Sequence, residues 1–175
     1  MSYKKFCEKI VKYIKQINIM IRVEIPGSDF LELEHFVTDF SGTLSEDGIM
    51  LIGVKEKLNK LSEKLTIHVL TSDTFGRARE ELHGVNCIIH VLEGNGHIFQ
   101  KEKYVIDLGA DKVVALGNGN NDELMLKAAK LGIAVCLKEG CSTKAIESSQ
   151  IFVTSPIDAV NLLLYPKRLI ATLRV

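Results

Sequence analysis

The sequence predicts an α/β fold with a doubly wound, Rossmann-like parallel sheet, and three patterns support this fold class. Short runs rich in Val and Ile alternate, from Glu34 onward, with segments of helical periodicity. The runs lack the one-in-two alternation of half-exposed strands, which is typical of strands covered on both faces. Polar motifs that contain glycine follow some of the runs. Repeated βαβ units place a ligand crevice at the carboxyl ends of the strands, where these motifs would lie.

The alternation predicts six core strands with helices between them. The predicted strands are residues 36–39, 67–71, 87–91, 112–116, 132–137 and 151–154. Apolar residues three and four positions apart predict three helices, and their stripes are Val54, Leu58, Leu61 and Leu65; Leu124, Ala128 and Leu131; and Ile157, Val160 and Leu164.

Two further elements precede this core. Residues 21–25 and 30–33 flank a turn at 26–29, which predicts a hairpin that guards an edge of the sheet. Residues 1–19 have apolar side chains on one face and lysines on another, which predicts a basic amphipathic helix. This helix could dock on a partner or a membrane surface, although packing on its own domain is favoured. We therefore divide the chain into a helical extension, residues 1–19, and a core, residues 20–175.

Length and charge limit the classes of function. A chain of 175 residues is about one domain. Its 22 basic and 22 acidic residues give a formal net charge of zero, which provides no overall electrostatic attraction to nucleic acid. No nucleic-acid partner is therefore expected. No apolar stretch approaches the roughly 20 residues that cross a bilayer. Four cysteines without Cys-x-x-Cys spacing suggest reduced thiols. We therefore expect a cytoplasmic protein without a transmembrane segment.

The segment Asp39-Phe40-Ser41-Gly42-Thr43 follows the first core strand. Its aspartate leaves the carboxyl end of a buried strand, and Gly42 permits a tight turn that brings the Ser41 carbonyl back toward the same point. A carboxylate held there can attack phosphorus and carry the phosphoryl group as an acyl phosphate. This chemistry requires a metal and a cation that neutralise the local charge.

Three later segments supply the partners that this chemistry requires. Thr71 and Ser72 end a strand, and their hydroxyl and backbone N–H groups can bind a phosphoryl oxygen. Lys101 would bring a positive charge, with Lys103 as its rival. The glycine-rich loop 117–122 offers oxygen ligands for a hard cation.

These four segments, in this order, resemble the motifs of the haloacid dehalogenase-like (HAD) phosphohydrolase superfamily, and within it the phosphorylation domain of P-type ATPases. Those pumps carry Asp-Lys-Thr-Gly-Thr, then Thr-Gly-Asp, then a lysine, then Gly-Asp-Gly-x-Asn-Asp. The matching stretches here are 39–43, 71–73, Lys101 and 117–122, and the similarity covers roughly residues 21–175. The chain looks like a soluble, stand-alone relative of that domain, without transmembrane helices or a nucleotide-binding insertion.

The resemblance implies catalytic roles for the matched residues. Asp39 would be the nucleophile that becomes aspartyl phosphate, and Thr71 would hydrogen-bond the transferring group. Lys101 would stabilise the charge, and it is preferred to Lys103 because apolar residues follow it at the family spacing.

The resemblance also implies binding residues. Mg²⁺ would be bound by Asp39, the Ser41 carbonyl, Asn118 and Asp122. The substrate would be contacted by Gly42, Thr43, Ser72 and Asn121.

Two departures from the family pattern change what is expected of the site. Most HAD phosphatases have a second aspartate, acting as general acid and base, two positions after the nucleophile, and Ser41 occupies this catalytic position. Serine does not exchange a proton near neutral pH as a carboxyl group does, so about 10² to 10⁴ in rate would be missing and good leaving groups favoured. Pumps also lack this aspartate, so Ser41 fits a site that forms acyl phosphate more readily than it loses it. Asn118 replaces the first acidic residue of the metal loop, which weakens metal affinity.

The intervals between the motifs are too short for a cap domain. Only residues 45–53 and 75–100 are available for one, and the second interval already contains a helix and a strand. The sequence therefore predicts a capless HAD core. Its open site would take large phosphorylated substrates or borrow a lid from a second subunit of a homo-oligomer, and the projection at residues 46–48 could serve as that lid.

Two hypotheses of different classes follow. The leading one is a Mg²⁺-dependent phosphohydrolase or phosphotransferase that works through an Asp39 phosphoenzyme. The alternative is a catalytically weakened relative, in which Ser41 and Asn118 mark a site that binds a phosphorylated ligand or a partner protein. Asp73 is explained equally well as a helix cap. Five histidines show no ligand spacing and are interpreted as structural: His35, His68, His83, His90 and His97.

Overall fold

Alternating strands and helices build the structure, a computed structural model that describes residues 20–28, 30–72 and 76–175. The strands are β1 (Ile21–Glu24), β2 (Phe30–Leu33), β3 (His35–Asp39), β4 (Ser45–Glu46), β5 (Ile49–Met50), β6 (Thr66–Thr71), β7 (Ile88–Val91), β8 (Val113–Gly117), β9 (Leu131–Val135) and β10 (Ile151–Val153). The helices are α1 (Val54–Leu61), α2 (Arg77–Glu81), α3 (His97–Asp107), α4 (Glu123–Ala128), α5 (Thr143–Glu147), α6 (Pro156–Leu164) and α7 (Pro166–Leu173), with 3₁₀ turns at Ala110–Lys112 and Asn120–Asp122. The predictions for residues 1–19, Asp29 and Asp73 lie outside the described residues.

Six strands form one parallel sheet in the order β10-β9-β8-β3-β6-β7. The doubly wound α/β prediction is confirmed, and each predicted core strand overlaps its observed strand to within two residues at either end. From β3 the chain builds one side of the sheet through β6 and β7, and then the other side through β8, β9 and β10. The winding therefore reverses between β3 and β8, which is where open α/β sheets bind their ligands.

Both faces of the four central strands β3, β6, β8 and β9 are covered, which explains why these strands are apolar without alternation, while the edge strands β7 and β10 are only partly buried. β8 and β9 are buried at every residue. On one face, Val114 and Leu116 pack with apolar residues of α1 and α6. On the other, Val113 and Ala115 pack with apolar residues of α3, α4 and α5.

The predicted stripe Leu124, Ala128 and Leu131 is wrong. Helix α4 buries Met125 and Leu126 instead, and Leu131 begins β9. Three consecutive apolar residues, 124 to 126, fit more than one helix face, so periodicity alone did not define the buried one.

The N-terminal hairpin is confirmed, but its predicted position is wrong. β1 and β2 pair antiparallel in register Ile21 with Leu33 and form a sheet of their own. Glu34 then leads directly into β3, a central strand, and its backbone bonds to Thr66 and Lys112 at the start of the neighbouring strands. The hairpin therefore lies at the amino-terminal end of the sheet and pairs with neither edge strand of the described sheet.

No helix within the described ranges combines the length and the apolar character that a membrane crossing requires.

Candidate active site

Three neighbouring strands bring polar residues together at the carboxyl edge of the sheet. Asp39 ends β3, opposite Leu70 of β6, and β6 ends one residue later at Thr71. On the other side of β3, Thr38 pairs with Leu116, and Asn118 follows the end of β8. A cavity of about 240 Å³ opens here, lined by Asp39, Ser41, Thr71, Ser72, Leu92, His97, Lys101, Asn118, Gly119 and Asn121.

The loop after Asp39 folds tightly around one carbonyl group. The Phe40 carbonyl oxygen accepts hydrogen bonds from the backbone N–H groups of residues 43, 44 and 45, at 3.3, 2.9 and 3.1 Å. Gly42 makes the turn possible for two reasons. Its φ of +69° lies in the left-handed region, and a Cβ there would lie 2.5 Å from Nδ2 of Asn118. The glycine of this motif thus lets the loops after β3 and β8 approach each other.

Lys101 links the two carboxylates of the site. It lies on the face of α3 that also buries Val105, and its side chain is 1% exposed. Its Nζ donates to Asp39 Oδ1 at 2.7 Å and to Asp122 Oδ1 at 2.6 Å. Lys103, in contrast, is exposed and pairs with Asp107 on its own helix. Geometry therefore places Lys101, and not Lys103, at the carboxylate that ends β3.

Burial dominates the electrostatics of this cluster. Burial raises the pKa of Asp39 to about 6, although the Lys101 ammonium opposes the shift. Burial by itself would lower the pKa of Lys101, but the charges of Asp39 and Asp122 outweigh it and raise that pKa. Lys101 is therefore held as an ammonium. With both aspartates ionised, the cluster carries one net negative charge.

Asp122 is buried, and both of its oxygens have partners within the protein. Oδ1 accepts from Lys101, while Oδ2 accepts from the backbone N–H groups of Asn118 at 3.0 Å and Gly119 at 2.9 Å. Gly117 leaves room for this arrangement, since a Cβ there would lie 2.6 Å from the Asp122 side chain. Asp122 thus ties the loop after β8 to Lys101. It is absent from the cavity lining, and its predicted role as a metal ligand stays a prediction.

The oxygen donors around Asp39 suit a hard divalent cation. The Thr43 hydroxyl lies 3.0 Å from Asn118 Oδ1 and 3.5 Å from Asp39 Oδ2, so these two oxygens approach a common point. Asn118 Nδ2 donates to the Gly140 carbonyl at 3.2 Å, which holds the amide in this orientation. No group of three or more His, Cys, Asp or Glu gathers within the described part of the chain. A carboxylate, an amide oxygen and a carbonyl, completed by water, fit Mg²⁺ better than a soft metal.

The remaining predicted site residues divide into two groups. Thr71, Ser72 and Asn121 line the cavity. Gly42 and Thr43 do not, and Thr43 is fully buried beneath Asp39 and Asn118. The predicted substrate contacts of Gly42 and Thr43 would therefore be indirect.

A small hairpin, β4 and β5, occupies the projection predicted at residues 46–48. Lys138 pairs with Glu46 at 2.9 Å, and the Asp47 backbone N–H donates to Glu139 at 2.8 Å. Arg77 donates to the Asp47 carbonyl at 3.1 Å. The hairpin is thus fastened to its own chain. No larger insertion appears between the motifs in the described residues, as the capless prediction expected.

His97 is a cavity residue that sequence reasoning interpreted as structural. It lies four residues before Lys101, and this spacing on a helix, which places both side chains on one face, is the signal that could have found it. Leu92 and Gly119 also line the cavity without having been predicted.

Two other histidines lie in a separate polar cluster beneath α3. His68 Nε2 lies 3.1 Å from His35 Nδ1, and His68 Nδ1 lies 3.0 Å from the Tyr104 hydroxyl. Burial, with a smaller contribution from His35, lowers the pKa of His68 to about 4. These contacts hold α3 against β3 and β6, in keeping with a structural role.

Comparisons with known proteins identify the fold that carries this site. No family model matches the chain. The uncharacterized protein MJ0073 of Methanocaldococcus jannaschii is 56% identical over 63 residues, which are 36% of this chain and 68% of that protein.

Solved structures extend the comparison to most of the chain. A 3-deoxy-D-manno-octulosonate 8-phosphate phosphatase from Moraxella catarrhalis, solved with magnesium, phosphate and KDO, has a TM-score of 0.61 at 16% identity, over 81% of this chain and 94% of that one. The cobalt-bound deoxy-D-mannose-octulosonate 8-phosphate phosphatase of Haemophilus influenzae gives 0.63 at 10% identity, over 82% and 94%. A Legionella pneumophila protein described as a HAD superfamily hydrolase gives 0.59 at 14%, over 80% and 86%. The predicted HAD-like fold is confirmed.

Proposed function

We propose that this chain, which belongs to the same family as the uncharacterized protein MJ0073, is a Mg²⁺-dependent phosphohydrolase that forms an aspartyl phosphate on Asp39. The observation that carries the proposal is the buried Lys101 ammonium, held 2.7 Å from Asp39 and 2.6 Å from Asp122 beside an open cavity. Desolvating three charged groups is a poor way to stabilise a fold. The same arrangement is well suited to receive the negative charge of a phosphoryl group.

Asp39 would attack the phosphorus atom. Its pKa of about 6 leaves the carboxylate mainly ionised near neutral pH, which keeps it nucleophilic. The new bond joins an Asp39 oxygen to phosphorus while the bond to the leaving oxygen breaks. Lys101 would stabilise charge on the phosphoryl oxygens, and Asp122 would hold Lys101 in position. Thr71 and Ser72, at the end of β6, would bind the same oxygens.

Mg²⁺ would be held by Asp39, the Ser41 carbonyl and Asn118, and would supply positive charge between the carboxylate and the phosphoryl oxygens. The net charge of −1 on the buried cluster favours a cation at this place. Phosphatases with this fold that were solved with magnesium or cobalt support the choice of a divalent ion. Because Asn118 carries no charge, we expect weaker affinity than an aspartate would give.

The likeness to P-type ATPases concerns the second half of the reaction. Ser41 stands where most HAD phosphatases have their general acid and base, so we expect aspartyl phosphate to form faster than it is hydrolysed. Without a cap, the cavity can admit large phosphorylated substrates. We also propose, from the sequence, that a second subunit supplies a lid and that the protein is cytoplasmic.

The proposal is tested by hydrolysis of 4-nitrophenyl phosphate with Mg²⁺ and with EDTA. We expect turnover by the wild type with Mg²⁺ only, and none by Asp39→Asn. Asp111→Asn makes the same chemical change at an exposed position far from the cavity and should leave the rate unchanged. Equal rates for all proteins under both conditions would refute the proposal.

A binding function is the second candidate, and Ser41 and Asn118 are the observations that favour it. A site in which serine and asparagine replace the family's carboxylates at positions 41 and 118 could hold a phosphorylated ligand without turning it over. Saturable binding of inorganic phosphate, lost in Lys101→Met, together with no turnover and no hydroxylamine-sensitive phosphoenzyme, would favour this function over the enzyme.

A further inference from the structure

His97 differs from the other histidines of the described chain in having no partner for a buried ring nitrogen. His35 and His68 bond to each other and to Tyr104, and His83 and His90 are exposed. The Nε2 atom of His97 is buried, yet it has no hydrogen-bond partner among the described residues. A buried polar atom without a partner is destabilising, and structural histidines generally satisfy theirs. His97 lines the cavity, so a ligand bound there is a candidate partner for this nitrogen.

The position of His97 is fixed by the start of α3. The helix begins at His97, and Lys101 lies one turn further along the same face. Gln100 holds the preceding loop, since its Nε2 donates to the carbonyls of Glu93 at 2.8 Å and Asn95 at 3.1 Å. The Leu92 backbone N–H bonds to the Thr71 carbonyl at 2.8 Å, which attaches this loop to the end of β6.

His97 therefore lies farther than Lys101 from the carboxyl edge of the sheet, toward the mouth of the cavity. Helix α3 follows a strand that ends at the carboxyl edge, and it runs back along the sheet from there. Lys101 reaches Asp39, so we place His97, which is about 6 Å closer to the start of the helix, on the outer side of the phosphoryl position. In an in-line displacement from Asp39, the leaving oxygen is on that outer side.

Proton chemistry leaves few other candidates. Among the described residues, three titratable side chains line the cavity: Asp39, His97 and Lys101. Asp39 is the nucleophile, and Lys101 is held as an ammonium between two carboxylates. Ser41 cannot exchange a proton near neutral pH as a carboxyl group does. Histidine is the side chain best suited to do so.

We propose that His97 is the general acid and base of the reaction, acting through Nε2 from α3 in place of a carboxylate at position 41. This inference rests on the proposed function and adds a catalytic residue to it. In the first step Asp39 attacks phosphorus, the bond to the leaving oxygen breaks, and that oxygen keeps the bonding electron pair and takes the proton of the His97 imidazolium. In the second step water attacks phosphorus, neutral His97 takes the proton from that water, and the bond between phosphorus and the Asp39 oxygen breaks.

The charges in the cavity are compatible with this cycle. The Asp39, Asp122 and Lys101 cluster sums to −1, and a phosphate monoester brings about −2. Even with a divalent cation the total stays negative. A cavity that is negative overall is compatible with a positively charged proton donor beside the leaving oxygen.

The test compares His97→Gln and His97→Asn with wild type on two aryl phosphates in the presence of Mg²⁺. Phenyl phosphate has a poor leaving group, which must be protonated, while 2,4-dinitrophenyl phosphate has a good one, which need not be. We expect kcat/KM to fall by about 10² to 10⁴ for phenyl phosphate, and by less than about tenfold for the dinitrophenyl ester. His83→Gln, an exposed histidine outside the cavity, should match wild type on both.

The second step gives an independent readout with the dinitrophenyl ester. Because kcat/KM reports on phosphoenzyme formation alone, it should change little, while kcat falls as water activation is lost. A burst of dinitrophenolate equal to the enzyme concentration, followed by a steady-state rate well below that of wild type, is the expected signature in the His97 variants.

Each other outcome overturns the inference. Equal losses on both esters would assign His97 to binding or structure, and unchanged rates would remove it from the reaction, while the proposed function would stand in either case. If both His97 variants fail to fold, as judged by thermal unfolding, the residue is structural. If wild type hydrolyses neither ester, the proposed function falls, and this inference falls with it.

Discussion

Replacing Lys101 with methionine tests the electrostatics of the buried cluster. The substitution keeps most of the side-chain length but removes the charge that contacts Asp39 and Asp122, which are 11% and 0% exposed. Breaking a buried ion pair by removing one partner costs about 3–5 kcal/mol. This is a large share of the roughly 5–15 kcal/mol that stabilises a domain. We therefore expect the free energy of unfolding of Lys101→Met, measured with urea at pH 8, to fall by about 3–5 kcal/mol.

The loss should depend on pH, and its sign follows from Asp39. Without the ammonium, which holds the pKa of Asp39 down, that folded-state pKa rises further above its unfolded value, so the folded variant binds more protons than the unfolded chain. Its stability relative to wild type should therefore recover as pH falls from 8 to 5. The double variant Asp39→Asn with Lys101→Met should recover part of the loss at pH 8, because one unpaired charge is gone.

Lys103→Met is the matched control on the same helix, since this lysine is exposed and its removal should leave stability nearly unchanged. A loss below about 1 kcal/mol for Lys101→Met at pH 8, or an equal loss at both pH values, would refute the reasoning about a buried and charged site.

Three further substitutions probe the turn, the metal loop and the histidine cluster. Gly42→Ala should lower the free energy of unfolding by more than Gly94→Ala, because both have positive φ but only the Cβ at 42 meets Asn118, at 2.5 Å. Asn118→Asp should lower the Mg²⁺ concentration that gives half-maximal activity, because a carboxylate binds Mg²⁺ more tightly than an amide. In wild type, the His68 pKa of about 4 makes the folded state lose up to about 3 kcal/mol as pH falls from 6.5 toward 4, since the unfolded chain binds the extra proton. His68→Gln should remove this loss, so the stability difference between the two proteins should shrink over that range.

Each of these expectations has a contradicting result. Equal destabilisation by the two alanine substitutions would show that the Asn118 side chain moves away from the added Cβ without loss of stability. A Mg²⁺ requirement that is unchanged or higher in Asn118→Asp would argue against a metal ligand at this position. A constant stability difference between wild type and His68→Gln from pH 7 to pH 4.5 would show that His68 is not held neutral by burial.

The sequence by itself determined the core strands and their approximate ends, and it predicted which motifs lie at the carboxyl edge of the sheet. The runs of the central strands β3, β6, β8 and β9 are apolar because both faces of the parallel sheet are covered there, and this pattern is local enough to be recognised without coordinates. The motif at 39–43 could be placed at the mouth of the sheet for a similar reason. Gly42, three residues after Asp39, permits the positive φ that a tight turn at the strand end requires.

Tertiary structure decided what depends on contacts between distant parts of the chain. Lys101 and Lys103 lie in one charged stretch, and only the docking of α3 buried the first against a carboxylate 62 residues away. The same docking placed His97 at the cavity and left His68 beneath the helix. It also brought Lys101 to Asp122 Oδ1, whereas Asp122 Oδ2 bonds to the backbone of its own loop. Burial and hydrogen-bond partners are set by such long-range packing, whereas hydrophobic period and turn chemistry are set by neighbouring residues.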